Sequence, residues 1–211
     1  MLQVGSAEGA RSAAAAGVDV IVAQGVEAGG HVRGQVGLLP LLPTVVEAVT
    51  STPVLAAGGI VNGRGLAAAL SLGADGVSVG TRFVASVECE AHPDYKQRLL
   101  EACETDTVYG EVFHVGWPQA PHRVLKNALT DGAAPPIGPI ARLRLGEQTI
   151  EVPPFWSAPP TVHTVGQTEL MANYAGQGVG LIRNILPAAV IMDQIVSEAE
   201  DTIRGLSGLL A

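Results

Sequence analysis

The sequence predicts an α/β protein assembled from parallel β/α units, and three observations predict it. Short aliphatic or β-branched runs alternate with helical segments through residues 1–85, and glycines close most of these segments. The core has to be aliphatic, because hydrophobic residues make up 47% of 211 while only three are Phe, three Tyr and two Trp. Glycine (26) and proline (14) are abundant, and the glycines gather in short groups with no repeat. That clustering places backbone, as much as side chains, in working loops.

The elements follow in order. Leu2-Gln3-Val4 reads as a short strand, and Ser6 caps an Ala-rich helix that stops at Gly17. Val18 to Gln24 is a β-branched run suited to a buried strand, and a long Gly-rich loop follows it. A helix is expected from Pro43 through Val49. Pro53 to Ala57 is the third strand, ended by Gly58-Gly59, and Gly65 to Leu72 is a helix closed by Gly73. Gly76-Val77-Ser78-Val79 is the fourth strand. Such units join by right-handed crossovers and place ligands at the strand C-termini.

After Phe83 the texture changes. Residues 86–135 hold most of the polar and His residues, with helical signals from Pro93 to Ala102. Residues 133–162 are Pro-rich, with one strand candidate at Gln148–Val152. From Gly178 onward, Leu181, Ile185, Ala188, Met192, Ile195, Ala199 and Ile203 recur at helical spacing, which predicts an amphipathic C-terminal helix bent at Pro187. The expected division is a β/α unit over 1–85, carrying the site, and a helical, loop-rich segment over 86–211 whose final helix packs on it.

Composition excludes several classes. The net charge is −8 and no Lys/Arg run is present, so a nucleic-acid footprint is missing. No apolar stretch reaches the ~18–20 residues that span a bilayer. The first residues have neither the basic nor the apolar region of a secretory signal. Cys89 and Cys103 form no CxxC pair and no disulfide framework, which fits reduced thiols and a cytoplasmic location.

Three glycine groups fall just after expected strands: Gln24 to His31, Ala57 to Gly65, and Gly80 to Phe83. Without Cβ, the main chain can approach a ligand and turn its N–H groups inward. In a β/α barrel the loops after the last two strands form a phosphate site, and converging amides act locally whatever the net charge.

EAGGH at 27–31, PVLAAGGI at 53–60, GRGLAAALSLGADGVSVGTRF at 63–83 and YAGQGVGLI at 174–182 together resemble the nitronate monooxygenase (2-nitropropane dioxygenase) family. These are FMN enzymes on a TIM-barrel scaffold, akin to an FMN-dependent enoyl-ACP reductase. The resemblance implies that Gln24, Gly29 and Gly30 approach the flavin ring or ribityl chain. It implies that Gly58 and Gly59 donate N–H groups to the FMN phosphate, that Ser78, Val79, Gly80 and Thr81 complete that site, and that Gly176 and Gln177 line the flavin. His31 matches the catalytic histidine. The chemistry agrees, because a nitroalkane reacts after losing its α-proton and an imidazole has a suitable pKa to take it. The substrates implied are nitronates or nitroalkanes with dioxygen.

Other residues receive plainer readings. Glu27 is structural, orienting the loop or His31; Arg82 makes an outward salt bridge; Phe113 and Trp117 are core aromatics by default, with a substrate pocket as their alternative role. His92, His114, His122 and His163 are non-catalytic and no metal site is expected.

A complete barrel has eight β/α units in ~250 residues, and four are found here. The resemblance therefore implies a C-terminal half-barrel of about four units plus a helical C-terminal segment, closed by a missing N-terminal half or by a homodimer. Two alternatives accompany the oxidase reading: an enoyl-reductase-like enzyme using FMN and NAD(P)H, and a catalytically silent half-barrel. The segments Thr105–Tyr109 and Arg123–Asn127 favour the monooxygenase branch.

Overall fold

The computed structural model describes residues 1–208. Four strands, β1 (Leu2–Val4), β2 (Ile21–Gln24), β4 (Val54–Ala57) and β5 (Gly76–Val77), lie side by side in chain order and pair in parallel. Between them run α1 (Ala7–Ala15), β3 (Gly30–His31), α2 (Leu38–Ala48) and α3 (Gly63–Ser71). This is an α/β fold with a parallel sheet, as the alternation of runs requires.

Local chemistry sets the boundaries. The Ser6 hydroxyl accepts from Gly9 N at 3.1 Å and opens α1, while Asn62 Oδ1 accepts from Gly65 N at 3.2 Å and opens α3. All four residues of β2 are buried. Ile21 and Ala23 face the helices, packing with Val54 and Ala56 of β4 against Leu41, Leu42 and Val45 of α2 and Ala10 and Ala13 of α1. Val22 and Gln24 face the other way, toward the cavity described below.

Two elements depart from expectation. Helix α2 begins at Leu38, five residues before Pro43, because both carboxylate oxygens of Glu27 accept from Leu38 N at 2.8 and 3.0 Å. A carboxylate at a helix N-terminus satisfies an orphan donor and suits the dipole. No local pattern reveals a cap that comes from eleven residues upstream. The fourth strand pairs only over Gly76–Val77, although Ser78 N still donates to Ala56 O at 2.8 Å.

The segment after residue 85, expected to be helical and loop-rich, contributes two small antiparallel sheets besides the helices. These follow α4 (Thr81–Val84) and α5 (Pro93–Glu101). Strands β6 (Thr107–Gly110) and β7 (His122–Leu125) join β3 in the order β3-β7-β6. Strands β8 (Ala141–Leu145), β9 (Gln148–Val152) and β10 (Thr164–Gly166) form the order β10-β8-β9. The final helix, α6 (Ala188–Ser207), starts after Pro187. Leu181 and Ile185 lie before it, in a 3-10 turn and an extended stretch, so the helical spacing of 181–185 is coincidental and Pro187 starts the helix where a bend was expected. Its buried stripe is Ile191, Ile195 and Ala199, against α3. A Cβ on Gly63 would stand 2.3 Å from Ala199 N, which shows how closely the two helices cross.

Candidate active site

Three strands end at one rim, β2 at Gln24, β4 at Ala57 and β5 at Val77, and the glycine turns begin there. Gly58 and Gly59 take φ values of +124° and +67°, a backbone path that side-chain-bearing residues rarely follow. Among the described residues no acceptor takes the N–H of Gly58, Gly59, Val79 or Gly80, and no side chain caps α4. A cleft of about 110 Å³ lies between these turns. It is lined by Gln24, Gly29, Gly58, Gly59, Ser78, Gly80, Thr81 and Gly176, among others. Successive unpaired amides around a concavity are an anion-binding arrangement.

The C-terminal motif closes this cleft. Gly176 N donates to Thr81 Oγ1 at 3.0 Å and Gln177 N to Glu27 O at 2.9 Å. A Cβ on Gly29 would lie 2.5 Å from Gly176 N, and one on Gly176 would lie 2.8 Å from Glu27 O. Only bare backbone fits at this crossing.

Three of the expected cofactor residues are not part of the cleft wall. Gly30 lies in β3, paired with Arg123. Val79 contributes at most its amide. The exposed Gln177 lines a neighbouring apolar cleft with Leu38, Leu42 and Leu72. Ser78 spends its own N–H on Ala56 O, so it offers the cleft its hydroxyl.

A larger cavity, about 770 Å³, shares Gln24 and Ser78 with the cleft and holds His31. The Gln24 amide donates to His31 O at 3.0 Å and fixes the backbone there. The imidazole is enclosed by rings: Trp117 stacks on it at 4.1 Å and 28°, Tyr174 is 5.4 Å away and His122 5.6 Å. Its Nε2 is buried without a hydrogen-bond partner. Burial, and secondarily the neighbouring His122, push the pKa of His31 below the usual histidine value, so the ring is neutral near pH 7.

His122, read from sequence as non-catalytic, stands directly opposite His31 in the β3–β7 register and is 1% exposed. Its Nδ1 lies 2.9 Å from Ala120 O and its Nε2 accepts from Phe113 N at 3.2 Å. These contacts select the neutral, Nδ1-protonated tautomer. Burial lowers its pKa as well, the Ala120 contact working against that. The Tyr174 hydroxyl donates to Ser157 O at 2.5 Å, and burial raises its pKa to about 12.

Several plain readings can be compared with the geometry. Glu27 is structural, though it caps α2 and does not orient the His31 ring. Arg82 makes no outward salt bridge. It is 6% exposed and donates to Ala85 O, Asn184 O and Asn184 Oδ1, because the C-terminal segment folds over it. Phe113 is buried core, whereas Trp117 lines the His31 cavity. Arg123 sends Nε and one terminal nitrogen to Val26 O at 3.0 and 2.9 Å, bracing the first glycine loop. Cys89 and Cys103 are unpaired, and among the described residues no His/Cys/Asp/Glu group could hold a metal and no helix is long and apolar enough to cross a membrane.

Such a layout, with unpaired amides on the turns at the C-terminal rim of parallel strands and a half-buried imidazole in the adjoining cavity, has the geometry of an enzyme scaffold of β/α type. Comparison with known proteins narrows the class. The nitronate monooxygenase family model matches residues 1–198, and the chain belongs to that family, whose members are generally flavin-dependent. A nitronate monooxygenase of Metarhizium robertsii is 37% identical over 220 residues, covering 97% of this chain and 58% of that protein. A Mycobacterium tuberculosis protein bearing a monooxygenase name is 39% identical over 212 residues, covering 98% and 54%. Among solved structures, FabK from Thermotoga maritima superposes with a TM-score of 0.77 at 32% identity, covering 99% of this chain and 63% of that one. Nitroalkane oxidase from Streptomyces ansochromogenes gives 0.73 at 33%, covering 97% and 58%. These neighbours are TIM-barrel proteins, and the chain spans little more than half the length of the curated relatives named here.

Proposed function

We propose that this chain carries the FMN-phosphate site and the proton-transfer histidine of an FMN-dependent oxidoreductase of nitronate monooxygenase type. One observation carries the reading: the cleft of unpaired amides shares Gln3, Gln24 and Ser78 with the cavity where the half-buried imidazole of His31 has an enclosed, unpartnered Nε2. An orphaned nitrogen costs stability in a folded core and is retained where a ligand completes it.

The residues fit the cofactor. The amides of Gly58, Gly59, Val79 and Gly80, with the hydroxyls of Ser78 and Thr81, would hold the phosphate, and Gly29 and Gly176, packed backbone against backbone, would form the wall beside it. Gly30 would let the chain pass close to the ring system, and Gln177 anchors the C-terminal turn through its N–H to Glu27 O. Bound FMN supplies electron acceptance from substrate and reaction with dioxygen.

The chain's own part is binding and proton transfer. Neutral His31 takes the α-proton of a nitroalkane at Nε2, leaving an imidazolium beside the nitronate anion it has produced. With a pre-formed nitronate, the same ring in its protonated state pairs with the anion. His122 and Tyr174 hold their positions by backbone hydrogen bonds and wall off water from two sides. Val4, Val22 and Val32 give the cavity an apolar stretch of wall, beside the polar Gln3 and Arg33.

The parallel sheet is read as half of a β/α barrel, with residues 1–85 supplying the site and 86–211 covering it. The outer edges of β1 and β5 are then completed by further β/α units or by a second copy of the chain, and the mass in solution distinguishes these.

The test is FMN uptake by the full chain, followed by anaerobic mixing. Stoichiometric binding, bleaching by a nitronate and insensitivity to NADH are expected. Bleaching by NADH and not by nitronate would replace the oxidase reading with a reductase, and absence of uptake would leave a silent scaffold.

A further inference from the structure

We propose that Trp117 gates His31 and thereby sets which carbon acids reach the base. The proposal rests on His31 being the proton acceptor described above.

Three rings enclose His31, and they are not equivalent. His122 uses both ring nitrogens on backbone atoms, and Tyr174 has its hydroxyl on Ser157 O. Trp117 has no side-chain hydrogen bond among the described residues, and it is 56% exposed while stacked at 4.1 Å on the imidazole. Two walls are therefore fixed, and the third is held by stacking alone.

The loop that carries Trp117 is anchored at both ends, and between the anchors Trp117 N donates to His114 O at 3.2 Å, so the indole side chain is the part left unheld among the described residues. Val115 N donates to Phe155 O at 2.9 Å, and Ser157 N to Val115 O at 2.9 Å. At the other end Val32 N donates to Pro121 O at 2.8 Å. Between these anchors Gln119 takes φ +56°, an unfavourable left-handed conformation for a side-chain-bearing residue. Such strain persists only where the surrounding structure imposes it.

The occlusion needs an opening. Nε2 of His31 is buried and unpartnered, so a substrate α-carbon cannot meet it until one of the enclosing rings moves. Trp117 is the ring free to move. When it swings aside, the space admitting substrate is bounded by Leu2, Val4, Val22 and Val32 on one side and by polar Gln3, Arg33 and Gln119 elsewhere. The indole then rests against the substrate's substituent. Slender carbon acids fit beneath it, and branched ones are resisted.

The gating arm of the experiment needs neither flavin nor turnover. Diethyl pyrocarbonate acylates neutral imidazoles, and peptide mass mapping follows each histidine separately. In the unaltered full chain, His31 is expected to react much more slowly than exposed His163. Trp117→Ala should accelerate His31 by about tenfold, the scale of one stacking contact, while Trp117→Phe stays near the parent. His163 serves as the internal reference. Equal rates for His31 and His163 in the parent, or no acceleration in Trp117→Ala, would overturn the gate. The selectivity is read as the ratio of kcat/KM for a branched nitronate to that for a two-carbon one, which should rise in Trp117→Ala and hold in Trp117→Phe; an unchanged ratio overturns it. A chain that takes up no FMN yet shows the labelling acceleration would refute the oxidase reading and leave the gate standing.

Discussion

His31 and His122 face each other across the β3–β7 ladder with ring centroids 5.6 Å apart, and neither favours the charged form. His31 stays neutral mainly because it is buried. His122 stays neutral for the same reason, and its Nε2 is already accepting from Phe113 N, so a proton there would set two donors against each other.

Acid stability follows from this pair. Both histidines have folded-state pKa values below the ordinary one, so below about pH 6.5 the unfolded chain binds more protons and stability falls with pH. The loss begins near the unfolded value and continues down to the folded values. Urea midpoints should therefore drop between pH 7.5 and 5.5, and the drop should shrink in His122→Gln, whose amide can still accept from Phe113. A protonated His122 that loses Phe113 N costs about 1–3 kcal/mol. An identical pH dependence in that variant would show that His122 does not titrate in this window.

The same neutrality governs catalysis. The rate of proton abstraction from a nitroalkane should climb with pH to a plateau, with an apparent pKa below the ordinary histidine value. His31→Gln should lower kcat/KM for a nitroalkane by about 10²–10⁴-fold. The loss with a pre-formed nitronate should be smaller, since its proton has already gone. Equal losses for both substrates would make His31 a binding residue and not a base.

The glycines separate into two kinds. A methyl on Gly29 meets Gly176 N at 2.5 Å and Ala175 C at 2.7 Å, all backbone, so Gly29→Ala should destabilise the fold by about 1–3 kcal/mol. Gly80 has nothing within 4 Å of its would-be Cβ and a negative φ of −102°, so Gly80→Ala should unfold at the parent's temperature. Because Gly80 lines the cleft, its methyl should weaken FMN binding, read by flavin titration, with stability unchanged. Unchanged affinity in Gly80→Ala would move the phosphate site away from that turn.

How much of this was legible in the sequence depends on distance along the chain. The strands ending at Gln24 and Ala57 are continuous apolar runs broken by glycine, a local signal, and the turns beyond them inherit it. The start of α2 was misplaced because its cap is Glu27, and α6 was read too long because Leu181 and Ile185 happen to fall at helical spacing. Trp117 and His122 were hidden more deeply. Their place beside His31 is created by the antiparallel register of β7 on β3, about ninety residues apart, and no spacing within either segment encodes it. Arg82 turns inward because Asn184, which takes two of its three hydrogen bonds, lies about a hundred residues on.

Arg123 gives the last prediction, and it ties that distant register to the site. From its position opposite Gly30 in β7, the guanidinium places two nitrogens on Val26 O, a third on Thr107 Oγ1 at 3.3 Å, and lies 5.7 Å above the Tyr109 ring. Val26 opens the loop that delivers Glu27 to α2 and Gly29 to the cleft, so one side chain braces both. Lysine keeps the charge but cannot fork onto the carbonyl. Arg123→Lys should therefore cost about 1–3 kcal/mol in urea unfolding, through a buried carbonyl left underserved. It should also weaken FMN binding, because the Gly29–Gly176 crossing loosens, while the pH limb assigned to His31 stays in place. Loss of stability without loss of flavin affinity would show that the loop holds its shape without Arg123.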